Sequence, residues 1–499
     1  MSDVLQPVPK LETGVAGFDQ ITLGGLPRGR TTLVSGTTGT GKTLLAVEFL
    51  ARGIQRHDQP GVFITFEERP QDIRRNAAAL GLDIAGWEAE GRWTFVDASD
   101  AGPDSEETVG GYDFGGLMAR VVHAVRGNGA VRVSFDSLGA VFSRFDDAAV
   151  VRAELQRMAS ALRDLGVTAL LTAERSEEYG PISRFNIEEF VADNVVLLRN
   201  VLEQERRRRT VEILKLRGAP HRTGEWLFTI DATQGLVVLP LSIVGAAKRA
   251  SSERVTTGIP ELDTMCGGGL YRDAVTFVSG PTGVGKTLLV THFVAAGVAA
   301  GERCVLFSFE ESREQLLRNA TSWGFDLEAM EATGSLLLIC ESPELASLED
   351  HFLTVKQTIE SFDPQRLGVD NLSALERVAT VRGIRDVVIG LGSFVKHHEV
   401  TTLFTATSGF VGGSSVTEAH LSILTDTILL LRYAEVAAEM RRSVSVVKMR
   451  GSWHDPAIRE FTINDHGMHI GAALRGANGT LFPAAGGGHR GEAPHAAAQ

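Results

Sequence analysis

The sequence predicts an α/β protein of two similar halves, each built on a mostly parallel sheet with flanking helices. Three observations support this prediction. Apolar runs of strand length alternate with segments whose apolar residues recur at helical spacing, which is typical of a parallel sheet with crossover helices. The second half of the chain repeats the motifs of the first half in the same order. The 499 residues, 43% hydrophobic and 22% charged, provide for two globular domains of roughly 200 to 250 residues each.

A glycine-rich loop occurs once in each half. Residues 36–43 read G-T-T-G-T-G-K-T and residues 280–287 read G-P-T-G-V-G-K-T, which are 280 − 36 = 244 positions apart. Both fit G-x-x-x-x-G-K-[ST], in which backbone N–H groups surround phosphates, the lysine meets the β and γ phosphates and the threonine binds Mg²⁺. An apolar strand precedes each loop, at 31–35 and 274–279, and a helical pattern follows it. The chain is therefore predicted to bind ATP and Mg²⁺ at two P-loop sites.

We assign the eight residues of each loop, and the leucine that follows, to nucleotide binding. In the first half these residues are Gly36, Thr37, Thr38, Gly39, Thr40, Gly41, Lys42, Thr43 and Leu44. In the second half they are Gly280, Pro281, Thr282, Gly283, Val284, Gly285, Lys286, Thr287 and Leu288. Thr43 and Thr287 are also expected to bind the metal ion.

The other elements follow one order in both halves. The first half has predicted strands at 62–66, 131–135, 168–172 and 194–198, helices at 70–80 and 151–165, and an antiparallel edge strand at 211–216. The second half has predicted strands at 304–309, 367–369, 401–405, 426–431 and 443–449. We predict domains at 1–243 and 244–471, with a small, polar linker at 246–253. The Gly- and Ala-rich residues 472–499 are expected to be disordered.

Composition excludes several classes of protein. A net charge of −13 argues against a nucleic-acid binder, because phosphate contacts need a basic surface. The four arginines at 206–209 are the local exception, and we interpret them as a solvated or subunit-facing hairpin segment; a nucleic-acid patch is the alternative. Cys266, Cys304 and Cys340 lack metal-ligand spacing, which is typical of reduced thiols. Residues 1–10 lack a signal core and no stretch reaches membrane-spanning length, so we expect a cytoplasmic protein without a membrane partner.

Acidic residues stand at the ends of predicted strands beside each loop. An aspartate closes one strand in each half, where a carboxylate reaches the Mg²⁺ shell. A pair of glutamates closes the neighbouring strand, where one of them can polarise an attacking water or hydroxyl. The alternative is that the glutamates only cap the following helices. The catalytic candidates are Glu67, Glu68, Glu310 and Glu311, and the carboxylate candidates for the metal are Asp136, Asp370 and Glu310.

A third motif recurs near the end of each half. Lys215-Leu216-Arg217-Gly218 is repeated as K-M-R-G at 448–451. In ring ATPases a cation from the neighbouring subunit stabilises the charge on the γ phosphate. The alternative is a solvated edge-strand cation that discourages edge pairing. The first interpretation predicts an oligomer.

Together these residues resemble the KaiC family, double-domain clock ATPases of the RecA-like superfamily. The resemblance extends from residue 13 to about 471. Its most specific segments are T-F-E-E-R-P-Q-D at 65–72, E-Q-E-R-R-R-R-T-V-E-I-L-K-L-R-G at 203–218, M-C-G-G-G at 265–269 and M-R-G-S-W-H-D at 449–455. The resemblance implies two tandem RecA-like P-loop NTPase domains in a homohexameric double ring. It also implies slow ATP hydrolysis by the amino-terminal domains, serine/threonine autokinase activity of the carboxy-terminal domains and a clock or timer role, with autophosphatase activity left open.

The resemblance also assigns individual roles. Glu67 and Glu68 match the family's water-activating pair, and Glu310 and Glu311 match its kinase pair. Trp323 matches a residue near the adenine. The residues that match contacts to a neighbour's nucleotide are Lys215, Leu216, Arg217, His221, Arg442, Lys448, Met449, Arg450, Ser452, Trp453 and His454.

The sequence departs from the family at the phosphate acceptors. Ser422 matches the acceptor serine, but the adjacent acceptor threonine is replaced by Ile423, which has no hydroxyl. The resemblance therefore implies phosphorylation of Ser422 without an ordered two-site cycle. A capping or buried hydroxyl is the alternative role of Ser422.

Of the two family segments that bind partner proteins, this sequence matches one and not the other. Residues 106–113, E-E-T-V-G-G-Y-D, resemble the segment that receives KaiB, so a KaiB-like partner is expected. The Ala- and Gly-rich segment from 472 replaces the charged segment that binds KaiA, so KaiA is not expected as a partner. Two alternatives stay open: an ATP-dependent signalling scaffold without kinase activity, and a RecA-type DNA recombinase or helicase. The acidic charge and the lack of aromatics among basic residues count against the second alternative.

Overall fold

The chain forms two compact units, Met1–Ile243 and Val244–Gln499, in a computed structural model. The structure describes residues 8–98, 114–139, 148–182, 191–203, 206–240, 251–379, 381–407, 425–436 and 439–474. Each unit contains one nine-stranded sheet with helices, which confirms the predicted α/β class. Within these ranges no helix combines the length and apolarity needed to cross a membrane.

The first unit has eleven described strands and six described helices. The strands are β1 (Lys10–Leu11), β2 (Leu26–Pro27), β3 (Thr31–Gly36), β4 (Gly61–Thr65), β5 (Trp93–Asp97), β6 (Arg132–Asp136), β7 (Thr168–Glu174), β8 (Asn194–Glu203), β9 (Arg206–Leu216), β10 (Glu225–Asp231) and β11 (Gly235–Leu239). The helices are α1 (Phe18–Ile21), α2 (Lys42–His57), α3 (Pro70–Ala78), α4 (Ile84–Ala89), α5 (Phe114–Asn128) and α6 (Ala148–Asp164). The sheet order is β11-β10-β9-β8-β3-β7-β6-β4-β5. The strands from β8 to β5 in this order are parallel, and β9, β10 and β11 continue the sheet as antiparallel strands.

The second unit repeats this plan. Its described strands are β12 (Arg254–Val255), β13 (Leu270–Tyr271), β14 (Val275–Gly280), β15 (Cys304–Ser308), β16 (Leu336–Cys340), β17 (Arg366–Asp370), β18 (Thr401–Thr407), β19 (Thr427–Val436), β20 (Glu439–Met449), β21 (Arg459–Asn464) and β22 (Gly467–Ala473). Its described helices are α7 (Pro260–Met265), α8 (Lys286–Ala299), α9 (Arg313–Ser322), α10 (Leu327–Ala332), α11 (Leu348–Phe362) and α12 (Val381–His397), with 3-10 turns at Pro343–Leu345 and Leu372–Arg377. The sheet order is β16-β15-β17-β18-β14-β19-β20-β21-β22.

A buried arginine stabilises the packing of the phosphate-loop helix in each unit. Arg132 at the start of β6 donates to the Phe49 carbonyl of α2 at 2.9 Å, and its guanidinium lies 4.9 Å from the ring centroid of that phenylalanine. Arg366 at the start of β17 makes the same contacts with Phe293 of α8, at 3.0 Å and 5.0 Å. Because a buried guanidinium requires acceptors, these bonds hold the helix against the sheet.

The same helix binds the last hairpin of its sheet through a different side chain in each unit. Glu48 accepts a hydrogen bond from the Leu236 N–H of β11 at 2.8 Å, and His292 Nε2 accepts one from the Met468 N–H of β22 at 2.9 Å. A Cβ at Gly467, whose φ is +95°, would lie 2.3 Å from His292 Nε2, so this position requires glycine. Burial raises the pKa of Glu48, while the hydrogen bond from Leu236 and the ion pair with Arg52 oppose that shift; burial lowers the pKa of His292 to about 4.

The structure extends several predicted strands and corrects one boundary. The predicted strand at 168–172 continues to Glu174 as β7, and the hairpin strands β8 and β9 reach the arginine run, where Arg206 pairs with Glu203. The chain from Ala472 was expected to be disordered, but Ala472 and Ala473 belong to β22 because they continue its ladder against β21. The expected tail beyond residue 474 lies outside the described residues.

Candidate active sites

Each phosphate loop lies between the central strand of its sheet and a long helix. The first loop joins β3 to α2, which begins at Lys42, and the second joins β14 to α8, which begins at Lys286. Gly41 and Gly285 have φ angles of +95° and +119°, a conformation that glycine adopts without strain. Backbone N–H groups at the start of each helix therefore face the end of the sheet, where they favour an anion. The eighteen residues that we assigned to nucleotide binding extend from the last residue of each strand, through the turn, into the first turn of the helix.

The lysines of the loops are held by loop carbonyls. Lys42 Nζ donates to the Thr37 carbonyl at 2.9 Å, and Lys286 Nζ donates to the Gly280 and Pro281 carbonyls at 2.9 and 3.0 Å. Burial lowers the pKa of both ammonium groups, while nearby carboxylates act in the opposite direction. Each cation is thus fixed over its own loop, the place that the sequence predicts for the β and γ phosphates.

The predicted carboxylates meet at the carboxyl edge of the first sheet. Asp136 is the last residue of β6 and is buried, and it accepts a hydrogen bond from the Thr172 hydroxyl. Glu67 and Glu68 follow β4, the neighbouring strand, and Ser137 Oγ donates to Glu67 Oε1 at 2.8 Å. Burial raises the pKa of Glu68, with further contributions from Asp136, Asp72 and Glu67.

A cavity of about 460 Å³ opens between this edge and the loop. It is lined by side chains of the loop, the strand ends, α2 and α3. The lining residues are Thr38, Gly39, Gly41, Lys42, Thr43, Leu44, Val47, Glu67, Glu68, Ile73, Asn76, Ala77, Leu80, Asp136, Ser137 and Glu174. Loop residues, both catalytic candidates and both metal candidates of the first unit therefore border one space.

The second site places the same groups in corresponding positions. Thr287 Oγ1 donates to Asp370 Oδ2 at 2.6 Å, and the Thr405 hydroxyl donates to the other oxygen of this carboxylate. Burial raises the pKa of Asp370, while the two hydroxyl hydrogen bonds oppose that shift. Glu310 and Glu311 follow β15, which pairs with β17 so that Ser308 lies opposite Asp370.

The two glutamates of the second site differ in environment. Glu310 is exposed, whereas Glu311 is half-buried and accepts a hydrogen bond from Asn319 Nδ2 at 3.1 Å. Burial raises the pKa of Glu311, and the bond from Asn319 lowers it. A carboxylate that is oriented and made more basic in this way suits proton abstraction.

The recurring K-L-R and K-M-R motifs lie at the opposite end of each sheet. Along β8, Gly36 of the loop strand pairs with Leu198, whereas Leu216 pairs with Asn194. The separation of 198 − 194 = 4 residues corresponds to about 13 Å at the rise of a strand. Lys215 Nζ instead donates to the Ala192 carbonyl at 2.8 Å. In the second unit Met449 pairs with Thr427, which in turn pairs with Thr276 at the start of the loop strand β14.

Arg217, Lys448 and Arg450 also lie away from their own loop, whereas Arg442 pairs with Tyr433, whose hydroxyl would lie 3.4 Å from a Cβ at Gly283 of the second loop. Arg217 Nη1 lies 3.6 Å from Asp193 Oδ1, and the Arg450 N–H donates to the Asp426 carbonyl at 2.8 Å. The Arg442 guanidinium lies 5.8 Å from the Tyr433 ring centroid, and the Lys448 ammonium donates to the Thr425 carbonyl at 2.7 Å.

Five further assigned residues complete this set. Trp323 ends α9 and packs against the core, and His221 is half-buried after β9. Ser452 accepts a hydrogen bond from Arg254, and the following Trp453 is 69% exposed; His454 comes next in the same segment. The core cluster against which Trp323 packs includes Val284 and Leu288, two of the residues assigned to the second loop.

The structure adds polar residues that the sequence analysis missed. Thr172 and Thr405 bind the two aspartates, and Asn319 binds Glu311. Glu174 and Glu178 accept hydrogen bonds from the hydroxyls of the first loop. Glu174 was missed because the predicted strand ended two residues too early, although the same strand-end argument would have found it. Ser422, Ile423 and the segment 106–113 lie outside the described residues.

Comparison of the sequence with known proteins identifies the family of this chain. The family profile described as "ATPase: KaiC" matches residues 11–243 and again residues 255–475. The circadian clock protein KaiC3 of Synechocystis sp. is 55% identical over 95% of this chain and 94% of its own length. The circadian clock oscillator protein KaiC of Thermostichus vulcanus is 50% identical over 95% of this chain and 91% of its own length. That of Synechococcus elongatus is 51% identical over 94% and 90%. The chain belongs to the KaiC ATPase family.

Proposed function

We propose that the protein is a clock or timer ATPase that also phosphorylates itself. The observation that carries the proposal is the duplicated site: each unit places a loop lysine, a loop threonine, an aspartate and a glutamate pair at one sheet edge. The relatives named as circadian clock proteins support the clock assignment. Neither the family profile nor these relatives favour a DNA recombinase.

At the first site the proposed reaction is ATP hydrolysis. Water attacks the γ phosphorus, a P–O bond forms to the water oxygen, and the bond to the β-phosphate oxygen breaks. Glu68 is suited to accept the proton because burial raises its pKa. Glu67, which is held by Ser137, orients the water, and Lys42 balances charge on the departing diphosphate.

At the second site the proposed attacking group is a protein hydroxyl. Glu311 takes the hydroxyl proton as the new P–O bond forms and ADP leaves, and Asn319 keeps this carboxylate in position. The resemblance assigns Ser422 as the acceptor. Thr417 and Thr425 are the neighbouring hydroxyls that a search for phosphate must include.

The residues present suit Mg²⁺. Thr287 Oγ1 and Asp370 Oδ2, 2.6 Å apart at the start of α8, supply the oxygen ligands that this ion prefers. Thr43 and Asp136 border the cavity of the first site, and Glu310 adds a further carboxylate at the second site. When bound, Mg²⁺ neutralises phosphate charge in the transition state.

The proposed assembly is a homohexameric double ring. Lys215, Arg217, Lys448 and Arg450 lie at the end of the sheet opposite their own phosphate loop, as the register shows. A role at a γ phosphate then requires the loop of a neighbouring subunit. We further propose a KaiB-like partner and a cytoplasmic location, and we do not propose KaiA as a partner.

The proposal is tested by exchanging one glutamate pair at a time. Full-length protein carrying Glu310→Gln and Glu311→Gln should lose phosphate incorporation and retain ATP hydrolysis at the first site. The matched control, with Glu67→Gln and Glu68→Gln, should show the reverse. Both are incubated with Mg-ATP and analysed by phosphate release and peptide mass spectrometry.

Each outcome has a defined meaning. Phosphate on Ser422 that disappears in the first variant supports the autokinase. Hydrolysis without phosphate on any residue of the parent protein would leave an ATPase scaffold. Incorporation that persists in the first variant would refute the roles of Glu310 and Glu311.

A further inference from the structure

An arginine far away in sequence holds the segment that follows the K-M-R-G motif. Arg254 on β12 donates from Nη1 to the Cys266 and Gly269 carbonyls, at 2.9 and 2.6 Å. Nη2 of the same side chain donates to Ser452 Oγ at 2.5 Å. The guanidinium lies 3.8 Å from the ring centroid of Tyr271, the residue with which Arg254 pairs on β13. Because the donors of a guanidinium point in fixed directions, these contacts fix Ser452 relative to the turn after α7.

Further contacts attach the same segment to this turn. The hydroxyl of the stacked tyrosine donates to the Gly451 carbonyl at 2.9 Å, and the Asp455 N–H donates to the Met265 carbonyl at 2.8 Å. A Cβ at Gly267, whose φ is +69°, would lie 2.9 Å from the Trp453 carbonyl oxygen. The segment is therefore bound at both ends and lies close against the turn between them.

The first unit has the same arrangement with a lysine in place of the arginine. Lys10 is the first residue of β1, as Arg254 is of β12. Its ammonium donates to the Leu23 and Pro220 carbonyls at 3.2 and 2.7 Å, and also to the Thr22 carbonyl. The lysine thus joins the turn after α1 to the segment that follows the K-L-R-G motif.

The two units reach the same backbone carbonyl by different routes. In the aligned motifs Pro220 corresponds to Trp453. The lysine of the first unit donates to the Pro220 carbonyl directly, whereas the arginine of the second unit donates to Ser452, whose hydroxyl donates to the Trp453 carbonyl at 2.9 Å. A cation on the first short strand therefore anchors the equivalent point of the chain in both units.

We propose that Arg254 is a positioning residue that holds segment 452–455 in the shape that contacts the nucleotide of a neighbouring subunit, and that Lys10 does the same for segment 219–222. This role rests on the proposed function, in which both segments supply such contacts. Arg254 fixes the backbone while the Trp453 side chain stays 69% exposed, available to a neighbour. A segment that is already ordered loses less conformational freedom on binding, so the nucleotide is held more tightly.

The anchoring is measured in the full-length chain without nucleotide. Arg254→Met removes the three hydrogen bonds of the guanidinium, so the protection of the Asp455 amide against hydrogen exchange should fall about tenfold. The Arg222 amide, which donates to the Ile21 carbonyl at 2.9 Å in the first unit, is the internal control. Lys10→Met should give the reverse result, with protection lost at Arg222 and kept at Asp455.

The consequence for the nucleotide is measured by phosphate incorporation. In Arg254→Met the Mg-ATP concentration that gives half-maximal incorporation should rise about fivefold to tenfold, and the rate at saturating Mg-ATP should stay within about twofold of the parent rate. A raised KM at constant kcat indicates lost binding, whereas a general loss of folded protein lowers the rate at every concentration. Arg254→Lys should restore both measurements, because Lys10 anchors the first unit with an ammonium.

The chain offers a matched control and a milder variant. Arg272 follows Tyr271 in the chain, but its side chain is bound to Glu253 and Glu302, both at 2.9 Å. Arg272→Met should therefore leave the amide protection and the KM unchanged. If Arg254→Met does not fold, Tyr271→Phe removes only the hydroxyl bond to the segment and should change both measurements in the same direction by a smaller factor. Thermal unfolding of every variant checks that the chain is folded.

Each result bears on a separate claim. Equal protection of the Asp455 amide in the parent and in folded Arg254→Met would overturn the anchoring, and an equal loss in Arg272→Met would overturn it by showing a general loosening. Lost protection with an unchanged KM would overturn the positioning role. A parent chain that incorporates no phosphate would refute the proposed autokinase, and amide exchange, which needs no nucleotide, would still decide whether Arg254 anchors the segment.

Discussion

Acidification should loosen the last hairpin of the second unit and not that of the first. Both hairpins are bound to a phosphate-loop helix through one buried side chain, His292 in the second unit and Glu48 in the first. His292 can accept the Met468 hydrogen bond only with an unprotonated Nε2. Burial is the largest cause that lowers its pKa to about 4; the charge of His469 adds to the shift, and a hydrogen bond with the Gly258 backbone opposes it.

The magnitude follows from proton linkage. A histidine whose pKa is lowered on folding makes its full contribution to the unfolding free energy at pH values above its unfolded pKa of about 6.5. That contribution is lost as the pH falls from about 6.5 toward 4. At pH 5, which is about 1.5 pH units below the unfolded pKa, the unfolding free energy is lower by about 2 kcal/mol. The loss reaches about 3 kcal/mol below pH 4. The contribution of Glu48 to the unfolding free energy changes in the opposite direction as the pH falls, because its raised pKa makes the folded state bind the proton more readily than the unfolded state does.

The assay is amide hydrogen exchange at pH 7.5 and pH 5, corrected for the intrinsic exchange rate. The protection factor of the Met468 amide should fall by up to about 30-fold at pH 5, the equivalent of about 2 kcal/mol. The Leu236 amide, which is bonded to Glu48, is the internal control and should not lose protection. In His292→Gln, whose amide oxygen can accept the same bond without titrating, the Met468 amide should show no such pH dependence. Equal protection of the Met468 amide at both pH values in the parent chain would refute the reasoning.

Three further perturbations address the second unit. Arg366→Met removes the buried guanidinium and leaves its acceptors unpaired, so the unfolding free energy should fall by about 3 to 5 kcal/mol in urea denaturation; a loss below 1 kcal/mol would contradict this role. Thr405→Val removes a hydrogen bond that lowers the pKa of Asp370, so the acid limb of the pH profile for activity at this site should move to higher pH; an unmoved limb would show that this bond does not set the titration. Asn319→Leu should likewise raise the pKa of Glu311, so phosphate incorporation should fall more steeply between pH 8.5 and 6.5 than in the parent, and parallel profiles would count against the contact.

The loops and strand-end carboxylates could be predicted because they depend on local pattern. A strand, a glycine-rich turn and a helix are consecutive in the chain, and parallel strands bring their carboxyl ends to the same edge. Asp136, Glu67 and Glu68 therefore lie together in the structure as expected. Glu174 was missed because apolar residues stop before the strand does, and its partner Thr38 is 174 − 38 = 136 positions away.

The contacts of the two hairpins show a second limit of prediction from the sequence. Glu48 and His292 stand at the same position of two equivalent helices and accept the same kind of backbone hydrogen bond. Nothing in the local sequence indicates that a carboxylate and an imidazole have one role, because their donors lie 188 and 176 positions further along the chain. Such pairs become visible only when the sheet order is known.

The sequence by itself determined the fold class, the duplication, the two phosphate loops and the carboxylates beside them, since each depends on residue type and short-range spacing. Only the tertiary structure decided which distant groups meet. It placed Lys215 and Lys448 at the end of the sheet opposite their own loops, and it brought Glu174 to one loop and Thr407 to the other. The physical reason is that strand order and register are set by burial of the whole sheet, and the short-range pattern of a segment does not specify its partners.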